Sequence, residues 1–129
     1  MMDITLFLAQ VMGVYFLVAG VGMLLNPARM KGAMQEAKRS YLLPYFDGAI
    51  ALVVGLLLVL NHNVWDGLLE VLVSLIGWVV VVEGVLMMLL PQKTISAMIE
   101  AFMGAHMARL MGVVSVVLGI YFVYQGFLL

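Results

Sequence analysis

The sequence contains no cysteine and few charged residues, and both shortages limit what the chain can be. Without cysteine it has no disulfide bond and no thiolate for catalysis or metal binding. Charged residues make up 10% of its 129 positions and hydrophobic residues 66%, whereas a soluble domain carries about 25% charged residues. The chain lacks the polar surface that covers a globular protein in water. We therefore expect a lipid bilayer as its solvent and partner.

Four apolar runs are long enough to cross a bilayer as helices, which takes about 20 residues each. They are residues 4–25, 42–60, 67–90 and 106–128. The alternating pattern of barrel strands is absent, and backbone polar groups in lipid must be satisfied within the segment, so the runs predict helices. The first run has no basic residue before it and no clear cleavage site after it. We interpret it as a retained span and not as a signal peptide.

Lysine and arginine are missing from both termini and from the connection at residues 61–67. All six basic residues lie in or beside the other two connections: Arg29, Lys31, Lys38, Arg39, Lys93 and Arg109. The positive-inside rule then predicts that these two connections face the cytoplasm and that both termini face outward. We expect the protein to be integral to the cytoplasmic (inner) membrane.

The chain repeats itself at a distance of 64 residues. Residues 20–37 (GVGMLLNPARMKGAMQEA) and 84–101 (GVLMMLLPQKTISAMIEA) agree at nine of 18 positions. The register needs no gap anywhere along the chain. Each copy contains two spans, so both copies have the same orientation. The sequence predicts two tandem parallel helical-hairpin repeats, residues 1–64 and 65–129, with a pseudo-twofold axis along the membrane normal.

A proline follows the first span of each predicted repeat, at Pro27 and Pro91. Asparagine is a good N-cap and proline is favoured at the first helical position, so Asn26 and Pro27 predict a new helix from about residue 27. Apolar residues in both connections recur at i, i+3 and i+4 spacing. We expect short amphipathic helices that lie on the cytoplasmic surface. A plain helical linker is the alternative.

Glycine recurs at a spacing of seven in every span, so that each pair lines one helix face. The eight residues are Gly13, Gly20, Gly48, Gly55, Gly77, Gly84, Gly112 and Gly119. Small residues let membrane helices approach closely, and we expect these faces to pack helices together. A glycine-lined pore or hinge is the alternative. Gln10, Ser74 and Ser115 are expected to form hydrogen bonds between helices.

Three ionisable residues, Asp47, Glu83 and Arg109, are predicted at comparable depths inside the membrane. Such a group costs about 2.5–3.5 kcal/mol at the centre of a span, and pairing reduces the cost. We expect Glu83 to pair with Arg109, with Asp47 nearby, as a structural staple. A carboxylate that handles protons or ions is the first alternative, and contact with another protein is the second. Glu83 lies about 100° from the Gly77/Gly84 face, so the third span needs two buried faces.

The duplicated pattern G-x-x-M-x-L-x-P-x-x-x-x-x-A-M-x-E, the HNVW turn and the Gly77-Trp78 pair carry a resemblance. Together they resemble small four-span bacterial membrane proteins of unassigned function. These motifs concern helix packing and turns. The resemblance therefore implies no catalytic residue.

The expected fold is an all-α membrane protein of four spans with short interfacial cytoplasmic helices. The expected function is non-enzymatic: a small scaffold or accessory subunit that acts by helix–helix association in a homo-oligomer or a larger membrane complex. The alternative is a small oligomeric channel or transporter that uses the intramembrane carboxylate of Glu83. We expect no cofactor, no metal and no nucleic-acid partner, because the sequence has no ligand cluster and no nucleophile–base constellation.

Overall fold

The computed structural model describes residues 4–128, which form six α-helices and no strand. In chain order these are α1 (Ile4–Leu25), α2 (Pro27–Arg39), α3 (Leu42–Asn61), α4 (Leu68–Leu89), α5 (Gln92–Ala101) and α6 (Ala105–Val123). A π-helical turn, Tyr124–Leu128, continues α6. Helices α1, α3 and α4 and the segment His106–Leu128 are long and apolar enough to cross a membrane. The expected all-helical chain with four such helices is confirmed.

Local sequence explains where the helices begin. Proline is favoured at the first helical position, and α2 begins at Pro27 after a one-residue break at Asn26. Before α3, the hydroxyl oxygen of Ser40 accepts a hydrogen bond from the Leu43 N–H at 3.0 Å. This bond satisfies an amide that has no partner within the helix. The ends of α1, α3 and α4 agree with the predicted runs to within one residue.

The helices pack as two units, which are described separately. The first unit contains residues 4–32 and 102–128, and the second contains residues 33–101. In the first, α1 packs along α6 and the π-helical turn, and in the second, α3 packs along α4. Each unit thus combines one span from each predicted repeat. The repeats are units of sequence, and their boundary between residues 64 and 65 stays a prediction.

In the first unit, side chains of each helix bond to the backbone of the other. The amide of Gln10 donates a hydrogen bond to the carbonyl oxygen of Gly126 at 2.8 Å. The hydroxyl of Ser115 donates to the carbonyl oxygen of Phe16, also at 2.8 Å. These are the hydrogen bonds expected of Gln10 and Ser115, and such bonds contribute about 0.6 kcal/mol each on average. Phe122 is fully buried and stacks on Phe16 with ring centroids 6.2 Å apart.

In the second unit, Ser74 of α4 holds the turn that connects α3 to α4. Its hydroxyl donates to the carbonyl oxygen of Val64 at 2.8 Å and accepts from the Val64 N–H at 3.1 Å. The Nδ1 atom of His62 lies 2.9 Å from the same hydroxyl oxygen. The Ser74 hydroxyl is thus the shared hydrogen-bond partner of the turn backbone and of the His62 ring. His62 and Ser74 are both buried, so this turn is firmly fixed to α4.

The eight glycines of the spacing pattern are buried, and each faces the partner helix of its own unit. A Cβ atom added at Gly20 would lie 2.8 Å from the backbone nitrogen of Val116. One added at Gly84 would lie 2.5 Å from the backbone nitrogen of Leu52. Optimal van der Waals separations are about 3.5–4.0 Å. The two backbones of each unit are therefore in direct contact at these glycines.

Replacing Gly20 by alanine is expected to lower the thermal stability of the protein, whereas alanine at Gly22 is not. The methyl group at Gly20 would meet backbone atoms of α6, and overpacking of this kind costs about 1–3 kcal/mol. Nothing lies within 4 Å of the equivalent atom at Gly22, two residues further along α1. Alanine there is expected to be neutral or stabilising, because glycine disfavours helix. Thermal unfolding in mild detergent measures both variants, and equal effects would contradict the close packing of α1 on α6.

Candidate functional site

A close backbone contact between α3 and α4 has an acidic residue on each side. A Cβ atom added at Gly48 would lie 3.0 Å from the carbonyl oxygen of Gly84, and one added at Gly84 would lie 2.8 Å from the carbonyl oxygen of Gly48. Asp47 immediately precedes the first glycine, and Glu83 immediately precedes the second. The carboxyl groups of Asp47 and Glu83 lie close enough to each other to interact electrostatically. This carboxyl pair is the candidate site.

Both members of the pair are carboxyl groups, and this limits how they can interact. An ionised carboxylate can only accept hydrogen bonds, so a hydrogen bond between Asp47 and Glu83 requires a proton on one of them. Two ionised carboxylates that lie close together also repel each other. Asp47 is exposed and Glu83 is half-buried, so the pair lies at the edge of the contact between α3 and α4. The arrangement places two acidic side chains next to each other at this edge.

The first unit has the same helix contact without the charges. A shift of 64 residues relates Gly84 to Gly20 and Gly48 to Gly112, and a Cβ atom at Gly20 would lie 2.9 Å from the carbonyl oxygen of Gly112. The residues that precede these two glycines are Ala19 and Met111. Close packing of the helices therefore does not require a carboxyl pair. Packing alone therefore does not explain the acidic side chains of Asp47 and Glu83.

Arg109 lies near the start of α6 in the first unit, and its side chain is exposed. Its predicted ion pair with Glu83 would join the two units and stays a prediction. Within the second unit, the carboxyl group of Asp47 lies near that of Glu83, and the sequence analysis expected Asp47 nearby. A signal for this contact is present in the sequence. Both acidic residues directly precede packing glycines, on helices that a short turn makes antiparallel.

The other polar side chains considered for a site form hydrogen bonds within the fold. Within residues 4–128, no group of three or more histidine, aspartate or glutamate residues is placed to hold a metal ion. The buried side-chain nitrogen and oxygen atoms in this part of the chain all have hydrogen-bond partners. His62 and Ser74 bond to each other in the turn. The carboxyl pair is thus the strongest candidate among the described side chains.

Comparison with known proteins gives a match for part of the chain. Residues 72–126 match the family described as "Uncharacterized protein conserved in bacteria (DUF2065)". The matched segment runs from α4 through α5 and α6 into the π-helical turn. The match agrees with the resemblance to bacterial membrane proteins of unassigned function. No curated protein and no solved structure matches the chain.

Double-mutant cycles are expected to show energetic coupling between Asp47 and Glu83. If the two carboxyl groups share a proton, the effects of Asp47→Leu and Glu83→Leu on thermal stability will not add, and the coupling will be about 0.5–3 kcal/mol. Glu83→Gln is the matched control. It keeps a hydrogen-bond donor opposite Asp47, so it should change stability less than leucine does.

The same measurement applied to Glu83→Leu and Arg109→Leu tests the predicted ion pair. Because Arg109 is exposed and Glu83 is half-buried, removing one partner should cost less than the ~3–5 kcal/mol that is typical of a buried pair. The double variant should then recover much of the loss. Strict additivity in a cycle would show that its two residues do not interact.

Proposed function

We propose that the protein is a non-enzymatic integral membrane scaffold or accessory subunit, which acts by helix–helix association in a homo-oligomer or a larger membrane complex. The exposure of Asp47 carries this proposal. This residue is the sixth of α3, about 8 Å from the start of the helix at 1.5 Å per residue. An ionisable group that faces lipid is costly. A neighbouring protein that covers Asp47 would remove this cost.

The way the chain uses its polar groups also supports a structural role. The side chains of Gln10 and Ser115 are hydrogen-bonded to backbone carbonyls of the partner helix. Ser74 is used in the turn between α3 and α4. Packing faces built on glycine complete each unit. These features assemble helices, and they support an interaction protein rather than an enzyme.

The proposed architecture is a tandem duplication of a two-span unit. A shift of 64 residues converts the contacts of Gly20 with Val116 and Gly112 into those of Gly84 with Leu52 and Gly48. This correspondence supports the parallel repeat, since the same register appears in two separately packed units. The match to residues 72–126 lies entirely within the second proposed repeat.

The proposed orientation follows from charge. We place the basic connections, with α2 and α5 as interfacial helices, on the cytoplasmic side of the inner membrane, and both termini and the turn at residues 62–67 on the outside. All four basic residues of α2 belong to one connection. Trp65 in the turn donates a hydrogen bond to Asn63. Indole groups are enriched at membrane interfaces, which supports an interfacial position for this turn.

A small oligomeric channel or transporter is the second candidate function. The observation that favours it is the contact between Asp47 and Glu83, because paired carboxyl groups in spans are typical of proton and ion pathways. Its counterpart in the first unit is uncharged. Under this alternative, Glu83→Gln would fold normally and would abolish proton or cation flux in proteoliposomes.

In mild detergent and in lipid nanodiscs, the protein is expected as a homo-oligomer or with a stoichiometric partner. Asp47→Leu is expected to shift the protein toward the monomer, since it removes the side chain that gains most from being covered. Ile50→Leu, at another exposed position of α3, is the matched control and should leave assembly unchanged. Native mass spectrometry measures all three proteins. A strictly monomeric wild type in both media, without any co-purifying partner, would overturn the proposal.

A cysteine introduced at Asn63 is expected to react with a membrane-impermeant maleimide in intact cells. Asn63 is exposed in the turn, and the chain has no other cysteine to interfere. Gln35→Cys, on the exposed side of α2, is the control and should react only after the cytoplasmic side is opened. The reverse pattern would refute the proposed orientation.

A further inference from the structure

The helices α2 and α5 hold corresponding places in the proposed repeats, but they differ in how they contact the protein. In α5, Ile95 is 3% exposed. The Gln92 amide donates hydrogen bonds to the carbonyl oxygens of Lys38 and Ser40 at 3.0 and 2.9 Å. The hydroxyl of Ser96 donates to the Lys38 carbonyl at 3.1 Å. One face of α5 is thereby fixed to the junction between α2 and α3.

In α2, no residue is buried. The shift of 64 residues relates Gln92, Ile95 and Ser96 of α5 to Ala28, Lys31 and Gly32 of α2. Alanine and glycine have no group to donate a hydrogen bond, and Lys31 is exposed where Ile95 is buried. The equivalent face of α2 is therefore not built for contact with protein.

Charge also distinguishes the two helices. α2 contains four of the six basic residues and a single acidic one, Glu36, whereas α5 has one basic residue and one acidic residue, Lys93 and Glu100. The Nζ atom of Lys38 lies 3.4 Å from a carboxylate oxygen of Glu100. The side chains of the other three basic residues of α2 are exposed: Arg29, Lys31 and Arg39.

These three residues lie on a helix between two helices that are apolar enough to cross a membrane. α2 begins two residues after the last residue of α1, and α3 begins at Leu42. Both neighbours are apolar enough to cross a membrane. On the proposed function, α2 therefore lies at the level of the lipid headgroups. At that level, basic side chains extend toward phosphate groups while the apolar side of the helix faces the acyl chains. That apolar side consists of Met30, Ala33, Met34 and Ala37.

We propose that α2 is a binding surface for anionic phospholipid headgroups and that Arg29, Lys31 and Arg39 supply its charge, whereas α5 is not such a surface. This inference rests on the interfacial position of α2 in the proposed function. The partner is the anionic lipid of the bilayer that surrounds the protein. Each basic residue near an anionic membrane surface strengthens binding by about fivefold at low ionic strength.

Native mass spectrometry of the full chain, released from nanodiscs of equal phosphatidylglycerol and phosphatidylcholine, tests the proposal. The wild type is expected to retain more phosphatidylglycerol than phosphatidylcholine. The triple variant Arg29→Gln/Lys31→Gln/Arg39→Gln should lose that preference, by about fivefold for each charge removed. Lys93→Gln in α5 is the matched control and should keep it. Equal retention of the two lipids by the wild type, or the same loss in the control, would overturn the proposal.

Two further measurements separate a loss of lipid binding from misfolding of the variant and from a wrong position of α2. Raising the salt concentration from about 0.05 to about 0.5 M should abolish the preference of the unmodified protein by screening, so the test does not depend on how the triple variant folds. A spin label at Met34→Cys reports separately whether α2 lies at the interface, in nanodiscs of phosphatidylcholine alone. A label in bulk water would contradict the interfacial position. A label at the interface without lipid preference would overturn only the lipid assignment.

Discussion

Backbone contact at glycine is the interaction on which the rest of this structure depends. Within lipid, no hydrophobic force draws one helix to another, so association relies on close packing and hydrogen bonds. At Gly48 and Gly84 the backbones of α3 and α4 approach so closely that neither position has room for a Cβ atom without a shift of the other helix. Because the contact is between backbones, it also fixes the side chains beside each glycine. The meeting of Asp47 and Glu83 is a consequence of this packing.

The two units have corresponding glycine contacts, and comparing them shows which residues the close packing of helices requires. Gly20 and Gly112 make the same contact as Gly84 and Gly48, with Ala19 and Met111 in place of the carboxyl groups. A neutral contact is therefore sufficient for association. Placing Asp47 and Glu83 beside the second contact adds the free-energy cost of ionisable groups in a span. Because packing does not require this cost, the acidic pair distinguishes the second contact from the first more than the glycine faces do.

The sequence predicts the helices but does not specify which helices pack together, for one physical reason each. Lipid admits few spanning structures, so apolar length alone placed the ends of α1, α3 and α4 to within one residue. Pairing depends on matching faces, and the proposed repeat gives every span a similar glycine face. Gln10 and Ser115 indicated hydrogen bonds between helices but not with which helix. Opposite charge favours Arg109 as the partner of Glu83, and this pairing stays a prediction, whereas Asp47 lies near Glu83 within the second unit.

The same constraint explains why the two proposed repeats share their packing glycines. A span that packs through backbone contact tolerates little change at its glycines, since any side chain there meets the partner helix. The helices α2 and α5 lie outside these contacts, and single positions in them differ in environment: Lys31 is exposed at the position where α5 buries Ile95. Positions beside a glycine, such as Asp47, are also less constrained than the glycine itself. Asp47 and Glu83 both stand at such flanking positions, and their counterparts at a shift of 64 residues, Met111 and Ala19, carry no charge.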